Sequence, residues 1–86
     1  MKTFPFKLIT PEGVAIDASL WQVSASNSMG RFAIRAQHID FFTSLKPGEL
    51  VLAYSPDKRE CIQIESGFLE FKGDCGCTVV CEKKLN

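Results

Sequence analysis

Residues 66–81 read Ser66-Gly67-Phe68-Leu69-Glu70-Phe71-Lys72-Gly73-Asp74-Cys75-Gly76-Cys77-Thr78-Val79-Val80-Cys81. Two stretches of alternating apolar residues flank a Gly-Asp turn signal, which is the pattern of a β-hairpin. Register selects the loop, because a slip of one residue turns every inward side chain outward. A loop of Gly73-Asp74 alone sets Glu70 and Lys72 across from Cys77 and Cys75, mixing charge into the apolar face. A loop running from Gly73 to Cys75 instead sets Phe71 opposite Cys77 and Leu69 opposite Val79. That register is consistently apolar on one side, so it is the one expected.

The same grammar extends through the rest of the chain. Thr10-Pro11-Glu12-Gly13 places Pro second and Gly fourth, as a type I turn prefers, and Ser55-Pro56-Asp57-Lys58 is of the same kind. Lys46-Pro47-Gly48-Glu49 puts Gly third, where a type II turn needs a positive φ. Between the turns, Phe4 with Phe6 and Leu8 share a face, as do Trp21 with Val23 and Ala25. Phe32 pairs in this way with Ile34, Leu50 with Leu52 and Tyr54, and Ile62 with Ile64. No segment sustains an apolar stripe at helical spacing, so the chain is predicted to be all-β, a sandwich or barrel.

Composition bounds the function. The chain has 86 residues, enough for one domain spanning 1–86, and 45% of them are hydrophobic, including seven Phe and one Trp. Ten basic residues balance ten acidic ones, and Lys83-Lys84 is the densest basic cluster, which argues against nucleic acid or an anionic membrane surface as a partner. Apolar runs fall far short of the roughly 20 residues that span a bilayer. The start at Met1-Lys2-Thr3 lacks an apolar segment of the kind a secretion signal carries. In that setting Cys61, Cys75, Cys77 and Cys81 read as reduced thiols.

Cys75-Gly76-Cys77 followed by Cys81 invites a metal reading, and strand geometry opposes it. Cys77 and Cys81 lie about 13 Å apart along a strand, whereas zinc ligands sit about 2.3 Å from the ion. A free-standing metal or redox module, with Cys75 and Cys77 joined by Cys61 or His38, is the competing hypothesis. Cys75, in the loop, is the thiol expected to be exposed. His38 is the sole histidine and no nucleophile motif accompanies it, so a small cysteine enzyme is disfavoured. No Gly-rich run precedes a Lys-Ser or Lys-Thr pair, so no phosphate-binding loop is encoded. Ser24 to Arg31 reads as a polar loop of small residues between two apolar strands, with Met29 at its tip.

In their order, four stretches carry a resemblance. They are Thr10-Pro11-Glu12-Gly13, the polar loop leading into Gly30-Arg31-Phe32-Ala33-Ile34, the run His38 to Gly48, and Ser66 to Phe71. Together the chain resembles the N-terminal β-sandwich domain of the epsilon subunit of F-type ATP synthases over nearly its whole length. The resemblance implies a flattened ten-stranded sandwich seated on the gamma subunit, with one end against the membrane c-ring. It implies a non-catalytic rotor subunit, without cofactor, at the cytoplasmic face of the bacterial inner membrane. Carried over by position, Ser26, Asn27, Ser28, Met29, Gly30, Arg31 and His38 face the ring, and Leu45, Lys46 and Pro47 sit near the junction of ring and gamma.

Three departures accompany it. Ala33 and Arg35-Ala36-Gln37 stand where the family usually has Gly and then Leu-Pro-Gly before the His, so the turn there is expected to differ in shape. His38-Ile39-Asp40-Phe41 is similar to the alternate, sometimes sodium-linked lineage of F-type enzymes. The sequence ends at Asn86, where typical family members continue into a C-terminal helical hairpin, so neither that hairpin nor its inhibitory or nucleotide-binding role is expected here.

Overall fold

A computed structural model describes residues 2–82, and the Lys83-Lys84 pair lies outside them. Nine strands form among these residues: β1 (Phe4–Thr10), β2 (Gly13–Leu20), β3 (Gln22–Asn27), β4 (Gly30–Arg35), β5 (Phe41–Leu45), β6 (Gly48–Ser55), β7 (Lys58–Ile64), β8 (Gly67–Lys72) and β9 (Gly76–Cys81). They make a five-stranded sheet in the order β2-β1-β9-β8-β5 and a four-stranded sheet in the order β4-β3-β6-β7. Every ladder is antiparallel except β1 with β9. The resemblance implied ten strands. Among the described residues the count is nine; residues 36–40 and 46–47 lie outside every strand and serve as corners that carry the chain from one sheet to the other.

The hairpins follow from turn chemistry. Thr10 Oγ1 accepts the Glu12 amide at 3.2 Å, and Ser55 Oγ accepts those of Asp57 and Lys58 at 3.3 and 3.1 Å. In the β8–β9 hairpin Phe71 faces Cys77 and Leu69 faces Val79, the register the apolar pattern demanded. The Cys75 amide closes its three-residue loop on the Lys72 carbonyl at 3.0 Å. Gly48 has a positive φ of 153°, but it opens β6 with backbone closer to extended than the roughly +80° of a type II turn.

Inward residues of both sheets fill one core. Phe6, Leu8, Leu20, Leu50, Leu69 and Val79 are each 0% exposed, and Phe4 meets Phe71 edge to face at 5.5 Å. Each such side chain contributes about 1.5–3 kcal/mol through burial. Two glycines permit close approach. A Cβ at Gly76 would collide with the Pro5 carbonyl, and one at Gly67 with the Val80 carbonyl.

The sandwich therefore has two distinct ends. The turns at 11–12 and 28–29 and the corner at 46–47 lie at one, called here the tip end. The turn at 56–57, the loop at 73–75 and the corner at 36–40 lie at the other.

Candidate interaction surfaces

The outer face of the five-stranded sheet carries side chains that the core does not use. Cross-strand register aligns Val14 with Ile9, Ile9 with Val80 and Val80 with Phe68, a row that crosses four strands near the tip end. Phe42 stacks on Phe68 with centroids 5.8 Å apart and planes 12° from parallel. Phe42 is 63% exposed, Phe68 52%, Val14 57% and Val80 45%, so these rings and branched chains face solvent together. The next row towards the middle of the sheet reads Asp17, Lys7, Thr78, Glu70. An apolar band bordered by charge is the usual character of a surface that meets a partner. Beside the band lies a groove of about 460 Å³ lined by Thr10, Pro11, Leu45, Phe68 and Val80 among others.

The outer face of the four-stranded sheet differs. On β3 and β4 it presents Gln22, Ser24 and Ser26 beside Arg35, Ala33 and Arg31. Its polar groups bond to one another: Arg35 Nε donates to Gln22 Oε1 at 2.9 Å and Gln22 Nε2 to Ser24 Oγ at 3.3 Å. The Arg35 guanidinium also lies 4.1 Å from the centroid of the Trp21 ring, a cation–π contact.

The polar loop expected from Ser24 to Arg31 is a tight hairpin. Ser24 to Asn27 belong to β3, and only Ser28 and Met29 form the turn, because Ser26 pairs with Arg31 and Asn27 with Gly30. Met29 at the tip is 92% exposed, as its place in the pattern suggested. Arg31 Nη1 donates to the Glu49 carbonyl at 2.6 Å and to Ser26 Oγ at 3.1 Å. The Lys46 amide donates to the Ser26 carbonyl at 2.9 Å, which brings the 46–47 corner against this hairpin. Lys46 and Pro47 are exposed there, whereas Leu45 is 5% exposed and belongs to the core, since it takes the last inward position of β5.

His38 is not brought to this tip. Strand β4 carries the chain from Gly30 to Arg35, on the order of 17 Å away at strand rise, and His38 follows at the opposite end. There its ring packs edge-on against Phe41 and Phe71 at 5.7 and 5.8 Å, and Nδ1 donates to the Ile39 carbonyl at 2.7 Å. Asp40 Oδ1 accepts the Gly73 amide at 2.9 Å, tying the same corner to the β8–β9 loop. Gln37 takes φ 69°, a left-handed conformation that glycine adopts at lower cost, at the position where the departure from the family pattern was noted.

The cysteines divide by exposure. Cys61 and Cys75 are exposed, and Cys77 and Cys81 are buried in the core. Burial pushes the Cys77 thiol up to about 12. The hydrogen-bonding Asp74 carboxylate, with its charge, raises that of Cys75. Cys61 stands on β7 at the edge of one sheet and Cys77 on β9 inside the other, so the arrangement gives a metal or redox module no support. Among the described residues, no three His, Cys, Asp or Glu side chains gather as ligands.

The outward row was not singled out from the sequence, although a signal was available. Leu8-Ile9, Phe41-Phe42, Phe68-Leu69 and Val79-Val80 are adjacent apolar pairs within strands. When one member of such a pair points inward the other must point out.

The family profile for the ATP synthase delta/epsilon chain β-sandwich domain matches residues 3–85. An ATP synthase epsilon chain from a Chelativorans species is 30% identical over 81 residues, covering 94% of this chain and 59% of the relative. One from Sinorhizobium fredii is 27% identical over 84 residues, covering 98% and 62%. The chain thus spans about three-fifths of the length of these relatives. Among solved structures, a chain of the Tetrahymena thermophila mitochondrial ATP synthase central stalk and c-ring superposes with TM-score 0.84 at 13% identity, covering 99% of this chain and 67% of that one. A chain of the Euglena gracilis mitochondrial ATP synthase gives TM-score 0.89 at 15% identity, covering 96% and 52%. At such identities the two superpositions establish the shared fold, and the profile match establishes kinship. The chain belongs to the family of ATP synthase delta/epsilon chain β-sandwich domains.

Proposed function

We propose that this chain is a non-catalytic central-stalk component of a rotary F-type ATP synthase, coupling rotation of the membrane c-ring to the gamma subunit. Family membership supports the role, and the exposed row Val14, Ile9, Val80, Phe68 with Phe42 is the single observation that carries the contact. That row is the face for gamma. The tip end, with Ser28, Met29, Gly30, Lys46 and Pro47 exposed, faces the ring. His38, at the far end, braces the 36–40 corner and takes no part in ring contact. The protein sits peripherally at the cytoplasmic face of the bacterial inner membrane, held through the ring, and uses no cofactor.

The mechanism is mechanical. A close-packed sandwich transmits strain instead of absorbing it, so two contacts on one rigid body move together. A stable joint needs a combined buried area on the order of 1,200 Å² or more, which the apolar row and its groove begin to supply. Co-expression with the gamma subunit of the same organism, followed by pull-down through gamma, tests this reading. A stoichiometric complex is expected. A folded chain that fails to co-purify would count against it.

A further inference from the structure

The exposed tip is held by side chains that are themselves occupied. Asn27, half-buried at the end of β3, uses both ends of its amide. Its Oδ1 accepts the Met29 amide at 2.8 Å, and its Nδ2 donates to Thr43 Oγ1 on β5 at 3.1 Å. β3 and β5 belong to different sheets, so this one side chain ties the turn that presents Met29 to the edge of the opposite layer. The Lys46-to-Ser26 backbone bond runs alongside it. A two-residue turn with an almost fully exposed Met at its apex has no packing of its own to fix its direction.

We propose that Asn27 is a positioning residue and not a contact residue: it locks the 28–29 turn to β5 so that Met29 is offered in one orientation. This rests on the ring-facing reading of the tip end. The contact is then made by the Met29 thioether and the turn backbone, while Asn27 reduces the ordering cost of binding. A partner suited to such a tip presents a small apolar or backbone-lined recess, since Met is polarizable and adapts its three torsions to an irregular gap.

Amide relaxation of Met29 in the full chain tests the tie directly. Asn27→Ala and Thr43→Val each remove it from one side, and each is expected to lower the Met29 order parameter from about 0.85 towards about 0.6. Asn27→Asp still accepts the Met29 amide and receives the Thr43 hydroxyl once that rotor turns from the Ser44 carbonyl, to which it donates at 3.1 Å, so it restores the ordered value. On a purified c-ring, Asn27→Ala and Thr43→Val are expected to weaken attachment together, by about 2- to 10-fold, with Asn27→Asp near wild type. A Met29 amide as ordered in Asn27→Ala as in wild type would overturn the proposal. So would ring attachment lost in Asn27→Asp while Met29 stays ordered, because Asn27 would then touch the partner itself. If Met29→Ala leaves attachment unchanged, the ring-facing reading fails, and that outcome is separate from the relaxation result.

Discussion

The two outer faces of this sandwich are built on the same pleat and end up chemically opposite. On the four-stranded sheet the outward positions of β3 and β4 are Ser, Gln and Arg apart from Ala33, and their polar groups bond to one another. On the five-stranded sheet the outward positions of β2, β1, β9 and β8 near the tip end are Val14, Ile9, Val80 and Phe68, and among the described residues nothing buries Phe42, Phe68 or Val80. Alternation alone accounts for an inward apolar face, so it cannot explain a second one. The exposed row is therefore surplus to folding, and surplus apolar area on one face of a rigid body is what a docking partner would cover.

The contrast between surplus and core is sharpest within a single strand. Phe71 is 1% exposed and Phe68 52%, on opposite sides of β8. Phe71→Ala is expected to cost about 3–5 kcal/mol in denaturant unfolding, because it leaves a cavity under Phe4 and His38. Phe68→Ala, with little burial to lose, is expected to cost under about 1 kcal/mol in the same assay. Similar losses for both would show that the outward row is part of the core and erase the distinction.

The ends of the molecule offer the next test. Met29→Ala is expected to weaken attachment to a purified ring about tenfold, close to 1.4 kcal/mol, while His38→Ala leaves attachment unchanged. His38→Ala should instead lower thermal stability, since the ring fills space between Phe41 and Phe71. A ring-attachment defect in His38→Ala would return that residue to the contact set.

The burial of Cys77 makes a pH-dependent prediction. Its thiol is raised from 9.0 to about 12 in the folded chain, so the folded state keeps the proton that the unfolded chain releases. Stability from this source is complete below about pH 9 and is lost as pH rises towards 12. At pH 10 the loss is on the order of 1 kcal/mol relative to neutral pH. Urea titrations of wild type and Cys77→Ala at pH 7 and pH 10 isolate it: the variant should be less stable at pH 7 but should lose less between the two.

The smallest effect concerns the 36–40 corner. Gln37→Gly relieves a left-handed φ of 69° in a non-glycine residue and is expected to raise stability by up to about 1 kcal/mol. Thermal unfolding checks it, and a loss of stability would mean that the Gln37 side chain contributes more than its backbone costs.

Much of this fold was legible in the residues. The loop from Gly73 to Cys75 followed from register, because Glu70 and Lys72 cannot share a face with Leu69 and Phe71. The inward sets Phe4-Phe6-Leu8 and Ile62-Ile64 followed from period two. The polarity of Ser24, Ser26 and Asn27 points to a loop longer than the Ser28-Met29 turn; Ser24 and Ser26 are strand residues on an outward face, where polarity carries no information against pairing, and Asn27 takes the last inward position of β3, where its amide bonds to Thr43. Carry-over by position puts His38 at the same end as Met29, whereas the fold separates them, because proximity in sequence does not fix which end of a strand a corner occupies. Position alone sets Leu45 near the junction of ring and gamma, and its alternation with Thr43 and Phe41 gives its side chain to the core. The outward apolar row went unread because each member looks like core until the other face of its strand is assigned.

The claim on which the account turns is that the apolar outer face of the five-stranded sheet is the seat of gamma. Titration of purified gamma with wild type, with Phe42→Ser/Phe68→Ser and with the polar-face variant Ser24→Lys tests it most directly. The account predicts that the double variant folds as wild type and binds about 100-fold more weakly or worse, while Ser24→Lys binds as wild type. Undiminished binding by the double variant, with binding lost in Ser24→Lys, would contradict it.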